Sequence, residues 1–350
     1  MAAPDYLVSA FLNEVNATTR RHIVPTMGDN VFRNDPLLAM LRASNLQKFP
    51  GGVQIQENFL YNVLDGGAYS PGDTFPVTRK QLQTGGTWQP KFYFVPITEF
   101  LEVIDVFNRG PEAVFRIVDV DMQAAALTMA ARLAIALYQG GQSSRILELN
   151  GLAEILSDGT NASWDASTYA NYGTIARNGA IGSALNSPMT SPTANVAGPL
   201  TYKMLEEGYN TLCIGPEYPD VILTTNLGMS YAKQKFQPQW RTETQDPKLG
   251  FNALVFNQAK IYQSQYAPGQ IAPEKATTLG YTTPASGETL FMLNSKSFKL
   301  WVTDHPLFGF GFTGFKVAQD NTVVSGQYLF SGNVTNISPR YSRQFFGITG

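Results

Sequence analysis

The sequence has little cysteine and histidine, and this shortage limits the chemistry open to it. Cys213 is the only cysteine, which excludes a disulfide within the chain and fits a buried thiol or a reducing compartment. With His22 and His305 as the only histidines, the usual zinc sites and cysteine–histidine nucleophiles lack ligands. No H-E-x-x-H, Walker lysine or G-x-S-x-G motif occurs. We therefore predict a protein that is not an enzyme and needs no metal or cofactor.

Charged residues are also scarce. Asp, Glu, Lys and Arg make up 15% of the 350 residues, against about 25% in ordinary soluble domains. Uncharged polar side chains take their place, and these cost less to desolvate at a subunit contact than Lys or Glu. The net charge of -2, with scattered basic residues, predicts no tight, salt-sensitive nucleic-acid site. This surface is typical of an obligate assembly, with a sparingly charged monomeric enzyme as the alternative.

One stretch has the spacing of a dinucleotide-binding loop. HPLFGFGFTGF, residues 305 to 315, places Gly309, Gly311 and Gly314 at G-x-G-x-x-G spacing. Such a loop binds a pyrophosphate only when a helix follows it and an acidic residue stands about 20 positions on. Here β-branched and turn residues follow, and no Asp or Glu occurs after Asp320. We interpret the stretch as a bend where backbone passes close to backbone, and keep a Rossmann-type oxidoreductase as an alternative.

The clearest predicted element is a long helix. GPEAVFRIVDVDMQAAALTMAARLAIALYQGG indicates about 29 helical residues, from Pro111 to a stop at Gly140. Gln123 and Arg132 lie in its most apolar part, and a bilayer centre penalises arginine by about 2.5 kcal/mol or more. We therefore predict packing on a sheet rather than a membrane span, with a coiled coil as the alternative. The predicted apolar stripe consists of Val114, Val118, Met122, Ala125, Met129, Leu133 and Ala136.

Before the helix, the sequence predicts a long two-stranded finger. VQIQENFLYN, after Gly51 and Gly52, and TWQPKFYFVPITEF, from Thr87, are both rich in β-branched and aromatic residues. The Gly- and Pro-rich connector at 63–86 is too long for a tight turn. Because a lone hairpin has too little to pack against, we expect the finger to find its partner elsewhere.

The remaining segments complete the predicted order. DYLVSAFLNEV and DPLLAMLRAS, the second capped by Asp35, predict two short helices of an arm laid over another part of the assembly. After the long helix, PLTYKMLEEGYNTLC, DVILTT and LGMSYAKQKF alternate as helix, strand and helix. Short strands follow, to the end of the sequence.

This order resembles the tailed-bacteriophage major capsid protein, the Hong Kong 97-type fold, over essentially the whole chain. It rests on the order itself and on PGDTFPVTRKQLQ, DVDMQAAALTMAARLA, PDVILTT and NVTNISPRYSRQFFGI. The resemblance implies an α+β fold in four parts. These are an N-terminal arm at 1–50, an extended β-hairpin called the E-loop at 51–110, a peripheral domain with a spine helix at 111–150 and 311–350, and an α/β axial domain at 151–310.

The resemblance also implies a function and partners. It implies a subunit that assembles with itself, as hexameric and pentameric capsomers, into the icosahedral head of a virion around non-specifically held double-stranded DNA. Assembly in the host cytoplasm, portal and decoration proteins, and no membrane are part of that expectation. Since this sequence shows no long scaffolding segment before the arm, we expect a separate scaffold protein or none. The alternatives are an encapsulin-like nanocompartment shell and a β-rich adhesin or carbohydrate-binding module, which the long helix argues against.

The resemblance places the finger across a neighbouring subunit, which makes its residues candidates for subunit contact. Some members join neighbours through a Lys to Asn isopeptide bond, and Lys80 lies in the corresponding stretch, although a lysine there is ordinary. The candidate contact residues are Asp73, Phe75, Arg79, Lys80 and Trp88.

Overall fold

The computed structural model describes most of the chain. The described ranges are 35–75, 78–107, 117–142, 145–190, 193–236, 241–243, 253–273, 278–318 and 321–350. The predicted first arm helix and the predicted helix start at Pro111 lie outside the described residues.

Six α-helices are present among the described residues. They are α1 Pro36–Ser44, α2 Ile117–Tyr138, α3 Leu152–Ile155, α4 Ala180–Ser183, α5 Tyr202–Leu212 and α6 Asn226–Phe236, with a π-helical turn at Val103–Phe107 and 3-10 turns at Ser295–Ser297 and Pro339–Tyr341. The strands are β1 Leu46–Phe49, β2 Ile55–Leu60, β3 Gln83–Trp88, β4 Lys91–Phe100, β5 Asn171–Tyr172, β6 Ile175–Ala176, β7 Asn195–Pro199, β8 Val221–Thr224, β9 Arg241–Glu243, β10 Ala253–Phe256, β11 Ala259–Gln263, β12 Glu288–Leu293, β13 Phe298–Thr303, β14 Gly309–Phe312, β15 Lys316–Val317, β16 Val323–Asn336 and β17 Arg343–Thr349.

A six-stranded sheet is built around the long strand β16. β4 pairs antiparallel with residues 323–332 along one edge of β16, whereas β13, β14 and β15 pair antiparallel along its other edge, and β1 adds in parallel to β13. Helix α2 packs on one side, where Val95 and Ile97 of β4 are buried. The alternating residues of β4 point to the opposite side, which we call the outer face.

The prediction of one strand through TWQPKFYFVPITEF was wrong. β3 ends at Trp88 and pairs with β2, whereas β4 begins at Lys91 and pairs with β16 over ten residues. Pro90 stands at the break, because proline has no N–H to donate to a ladder. The finger therefore ends at Trp88, and the rest of the segment belongs to the body of the subunit.

Helix α2 ends where the sequence predicts, at Tyr138 and just before Gly140. By length and mean hydropathy alone α2 qualifies as a membrane span. In the fold, its last six residues, Leu133 to Tyr138, are all buried, and the helix packs on β4, β16 and α1. Its apolar character is therefore that of a core helix.

A seven-stranded sheet carries the predicted α/β alternation. Its order is β7-β17-β12-β8-β11-β10-β9, and β8 and β11 are parallel. α5 is capped by Thr201, whose Oγ1 accepts from Met204 N at 3.3 Å, and it buries Leu205 and Leu212 against this sheet. The two sheets cut across the predicted domain ranges, because β13 belongs to the first sheet and β17 to the second. The division into domains at those ranges stays a prediction.

Asp35 is the N-cap of α1, as its sequence context predicts. Its Oδ2 accepts from Leu38 N at 3.0 Å. Its Oδ1 accepts from Tyr138 Oη at 3.0 Å and from Ser264 Oγ, so one carboxylate joins α1, α2 and the end of β11. Burial raises the pKa of Asp35, and the hydrogen bonds from Ser264, Leu38 and Tyr138 oppose that rise.

The glycine-rich stretch is a strand bend. β14 pairs antiparallel with β16, with a register shift between Gly309 and Gly311, and β15 then pairs with the same strand. A Cβ on Gly311 would lie 2.0 Å from Pro306 O, so only glycine fits there. The Phe310 and Phe330 ring centroids lie 4.6 Å apart, with the ring planes tilted by 46°. The interpretation of backbone passing close to backbone is confirmed. The rings do not all lie on one side, because Phe310 and Phe312 pack against the core whereas Phe308 lies beside Phe92 of the outer face.

Candidate functional site

The base of the finger consists of β2 and β3 and is buried in its own subunit. The strands pair antiparallel from Ile55 opposite Trp88 to Leu60 opposite Gln83. β2 alternates buried and exposed residues, so Ile55, Glu57 and Phe59 share one covered face. The finger is thus anchored through a single face of β2.

Aromatic rings hold this base. The Trp88 ring lies 6.1 Å from the Phe59 ring and 5.0 Å from the Tyr172 ring, both in edge-to-face geometry. Tyr172 belongs to the β5–β6 hairpin, and Thr174 Oγ1 of the same hairpin accepts from Thr87 N at 3.3 Å. Gly173, at φ +58°, allows the close approach, since a Cβ there would lie 2.8 Å from Thr87 O.

A buried carboxylate lies beside these rings. Glu57 accepts from Lys299 Nζ at 3.0 and 3.1 Å, from Trp301 Nε1 at 3.2 Å and from Thr335 Oγ1 at 3.1 Å. All three donors belong to β13 and β16 of the six-stranded sheet. We call these four residues the Glu57 cluster.

Behind the base lies a buried network of polar groups around Arg177 and Glu154. The Arg177 guanidinium donates to Ser157 O at 2.7 Å and to Glu154 O at 2.5 Å, and lies 4.9 Å from the Tyr172 ring centroid. Burial lowers the pKa of Arg177 to about 10. Burial raises the pKa of Glu154, whose carboxylate accepts from Gly141 N, Gln142 Nε2 and Asn150 Nδ2 at 2.7 to 3.1 Å. These groups bind one another, which indicates a structural role.

The tip of the finger, described at residues 61–75 and 78–82, is mostly exposed. It closes with a type II turn, Pro71 and Gly72 at the centre and Gly72 at φ +101°. Asp73 fixes the turn, since its Oδ2 accepts from Ser70 N at 2.6 Å and its N–H donates to Ser70 O at 3.0 Å. The Tyr69 and Phe75 rings meet edge to face across the turn at 5.1 Å. Lys80 and Asp65 form an ion pair between the turn and the base of the finger.

Four of the five predicted contact residues lie on this exposed tip. Asp73 holds the turn, Phe75 is 62% exposed, Arg79 is exposed, and Lys80 is paired with Asp65. Trp88 is the exception, because it is 3% exposed in the aromatic cluster of its own subunit. Its contact with a neighbour is corrected to an anchoring contact within the chain.

Sequence reasoning missed other exposed residues of the tip. Apolar residues inside a Gly- and Pro-rich connector were the signal for them, since an ordinary loop is polar. The missed apolar residues, 67% to 77% exposed, are Val63, Leu64 and Tyr69, together with Leu60 at the end of β2 next to the tip.

A second exposed apolar surface lies on the outer face. Phe92 and Phe94 of β4 are 65% and 62% exposed, and Phe308 lies 6.2 Å from the Phe92 ring. Leu329 of β16 stands opposite Phe94. Because side chains alternate along β16, Leu329 and Thr335 point to the same face of the sheet. Thr335 contacts Glu57, so the finger base covers one end of the outer face. Phe92 and Phe94 lie on the uncovered part of that face.

The described residues contain no cluster of three His, Cys, Asp or Glu side chains that could hold a metal ion. A cleft of about 350 Å³ lies at the carboxyl ends of β8 and β11, lined in part by Glu288 and Asn226. The Glu288 carboxylate accepts from Thr225 Oγ1 at 2.5 Å and from Gln270 N at 3.1 Å. Its described contacts are thus within the chain.

No family model and no curated protein matches this sequence. Solved structures are similar to it along nearly its whole length. The cyanophage A-1(L) capsid asymmetric unit matches with a TM-score of 0.62 and 11% identity, covering 94% of this chain and 96% of that one. The holo-SrpI encapsulin complex from Synechococcus elongatus PCC 7942 matches with a TM-score of 0.58 and 10% identity, covering 99% and 96%. Mycobacterium phage Adephagia matches at 0.55 and 11%, covering 100% and 99%. The chain therefore has the α+β Hong Kong 97-type fold of tailed-phage major capsid proteins.

Proposed function

We propose that this chain is a shell subunit, the major capsid protein of a tailed-phage virion, whose finger tip binds a neighbouring copy. The observation that carries the proposal is the division of the finger, which has a base buried in its own subunit and a tip with large apolar side chains in solvent. Exposed clusters of this kind mark interaction sites. In a chain with this fold, a second copy is the natural partner.

The outer face is the receiving surface in this proposal. Its side chains are apolar or uncharged at Phe92, Phe94, Pro96 and Thr98, so an apolar tip can cover them without burying a charge. Ten residues on each side of the tip's turn reach about 33 Å when extended, and the ten-residue strand β4 is about as long. The tip thus matches this face in both length and chemistry.

The finer parts of the proposal follow from shell formation. Copies assemble as hexamers and pentamers into a closed icosahedral head that holds double-stranded DNA non-specifically. We place this assembly in the host cytoplasm, with portal, decoration and scaffold proteins as partners. The role is structural rather than enzymatic.

An encapsulin-like nanocompartment shell is the second candidate. The encapsulin structure supports it, since it covers 99% of this chain, as the phage structures cover 94% to 100%. The two differ in contents and size, because a virion head holds a genome and a nanocompartment is smaller and holds none. Nuclease-protected DNA in particles purified from the native source would support the virion, and empty or protein-filled particles the nanocompartment.

Electron microscopy combined with limited trypsin digestion tests the shell proposal. The expressed chain should form closed shells or capsomers. In unassembled subunits trypsin should cut first at Arg79 or Lys80, because exposed loop tips are preferred sites of cleavage, and in particles these bonds should be protected. Mass spectrometry identifies the first fragments. A lasting monomer at high concentration, or equal protection in monomer and particle, would contradict the proposal.

A further inference from the structure

We propose that the Glu57 cluster is a positioning device that fixes the angle of the finger on its own subunit. The angle can be measured on a single subunit. Only its consequence for shells rests on the proposed function.

The apolar contacts of the base do not fix an angle by themselves. Burial of Phe59 and Trp88 favours contact without favouring one direction, because the hydrophobic effect is non-directional. The outer face offers further apolar surface beside the base at Phe92 and Phe94. A finger held only by its rings therefore has neighbouring positions open to it.

The Glu57 cluster restricts the direction in which the finger leaves the sheet. Lys299 and Thr335 stand opposite each other in the β13–β16 register, and Trp301 is two residues along β13 on the same face. Glu57 accepts from all three at 3.0 to 3.2 Å. One carboxylate thus spans two strands and two positions along one of them, which fixes both rotation and sliding of β2.

A purely stabilising role explains the cluster less well. The Glu57 side chain is 8% exposed and that of Lys299 28%, so the pair is largely removed from water. Desolvation offsets most of the attraction in such a pair, and replacing both partners by apolar residues of similar volume is often neutral for stability, whereas removing only one partner is destabilising. Methionine at both Glu57 and Lys299 would cover the same surface. The carboxylate adds hydrogen-bond direction, which methionine lacks.

The consequence concerns shell geometry. If the finger of one copy lies on the outer face of the next, its angle sets the tilt between copies. A fixed angle then favours shells of one size, and a loose angle allows several sizes.

Distances between two labels measure the angle directly. Cys213 is the only cysteine, is exposed, and follows α5, so it serves as one spin-label site. Gln83→Cys, at the exposed first residue of β3, supplies the other label site. In unassembled subunits, pulsed electron spin resonance should give one narrow distance in the parent, and a distribution about twofold broader in Glu57→Met. Glu57→Gln keeps one acceptor oxygen, so the width of its distance distribution should lie between those of the parent and Glu57→Met.

The matched control is Gln56→Met, on the exposed side of β2. It should leave the distribution narrow. Glu57→Met leaves Lys299 without its acceptor and should be less stable than the parent. The double variant Glu57→Met/Lys299→Met removes the whole charge pair, so it should be about as stable as the parent and still show the broadened distance distribution, which separates positioning from general destabilisation. A Glu57→Met distribution as narrow as the parent's would overturn the proposal, and if that variant fails to fold, an unbroadened Glu57→Gln decides against it in the same way.

Particle diameters give the second readout. Glu57→Met should assemble into shells with a wider spread of diameters than the parent, as seen by electron microscopy. If the parent itself forms no shells, the shell proposal fails while the distance measurement still stands. If the parent and Glu57→Met both form shells of one diameter, the link between finger angle and shell geometry is wrong.

Discussion

The two ends of the finger differ in what holds them. At the base, Phe59 and Trp88 are 2% and 3% exposed against the rings and sheet of their own subunit. At the tip, Tyr69 and Phe75 are 67% and 62% exposed, and the contacts within the tip include a turn, a ring pair, a surface ion pair and the hydrogen bond from Tyr61 N to Leu82 O. The same finger is therefore part of the core at one end and an open surface at the other.

This difference bears on the proposed contact between copies. If the exposed apolar side chains of the tip bind a second copy, a rigid support would hold them in position for that contact. The base supplies that support through burial, and the Glu57 cluster adds direction. Changes at the two ends should accordingly affect different properties, folding at the base and assembly at the tip.

The largest expected effect is at the base. Trp88→Ala should lower the free energy of unfolding by about 3 to 5 kcal/mol, the usual cost of removing a buried tryptophan. Urea unfolding of the unassembled subunit measures it. Trp88→Phe, which keeps a ring near Phe59, is the control and should lose less. An unchanged midpoint for Trp88→Ala would show that the base does not depend on this ring.

Substitutions at the tip should affect assembly and leave stability nearly unchanged. Tyr69→Ser with Phe75→Ser should change the unfolding free energy by only about 0.5 kcal/mol, because both side chains are exposed in the subunit. The same double variant should lose closed particles in electron microscopy and sedimentation. The control is Ser183→Ala on exposed α4, outside both proposed contact surfaces. Normal particles from the double variant would remove the tip from the proposed contact.

The smallest effect concerns a buried carboxylate in the body of the chain. Burial raises the folded-state pKa of Asp35 above 3.8, its ordinary value, so between those two pKa values the folded chain holds more protons than the unfolded one. The contribution of Asp35 to the unfolding free energy is therefore present below pH 3.8 and decreases as the pH rises through its folded pKa.

Asp35→Asn should remove that decrease, which makes the unfolding free energy depend less steeply on pH over this interval. Ser70→Ala, at the exposed tip, changes no titratable group; it is the control and should leave the pH profile of the parent unchanged. Chemical unfolding at a series of pH values provides the comparison. A parallel profile for Asp35→Asn would mean that its carboxyl does not set this part of the pH dependence.

Local patterns in the sequence determined several elements by themselves. The 3.6-residue apolar period and Gly140 predict the spine helix and its end, Asp35 with Pro36 predicts the start of α1, and Gly and Pro predict an exposed tip. These signals depend on neighbours within a few positions, so they can be read without the fold. The order of such elements was also enough to indicate the fold.

Only the tertiary structure decided which surfaces are covered. Trp88 is buried because Tyr172, 84 positions away, lies against it, and β4 joins the body because its partner β16 begins at Val323. Glu57 meets donors 242 to 278 positions away. Pairings across such distances are set by the packing of the whole chain, since the local pattern around Trp88 or Glu57 is the same whether the residue faces a neighbour, the solvent or its own core.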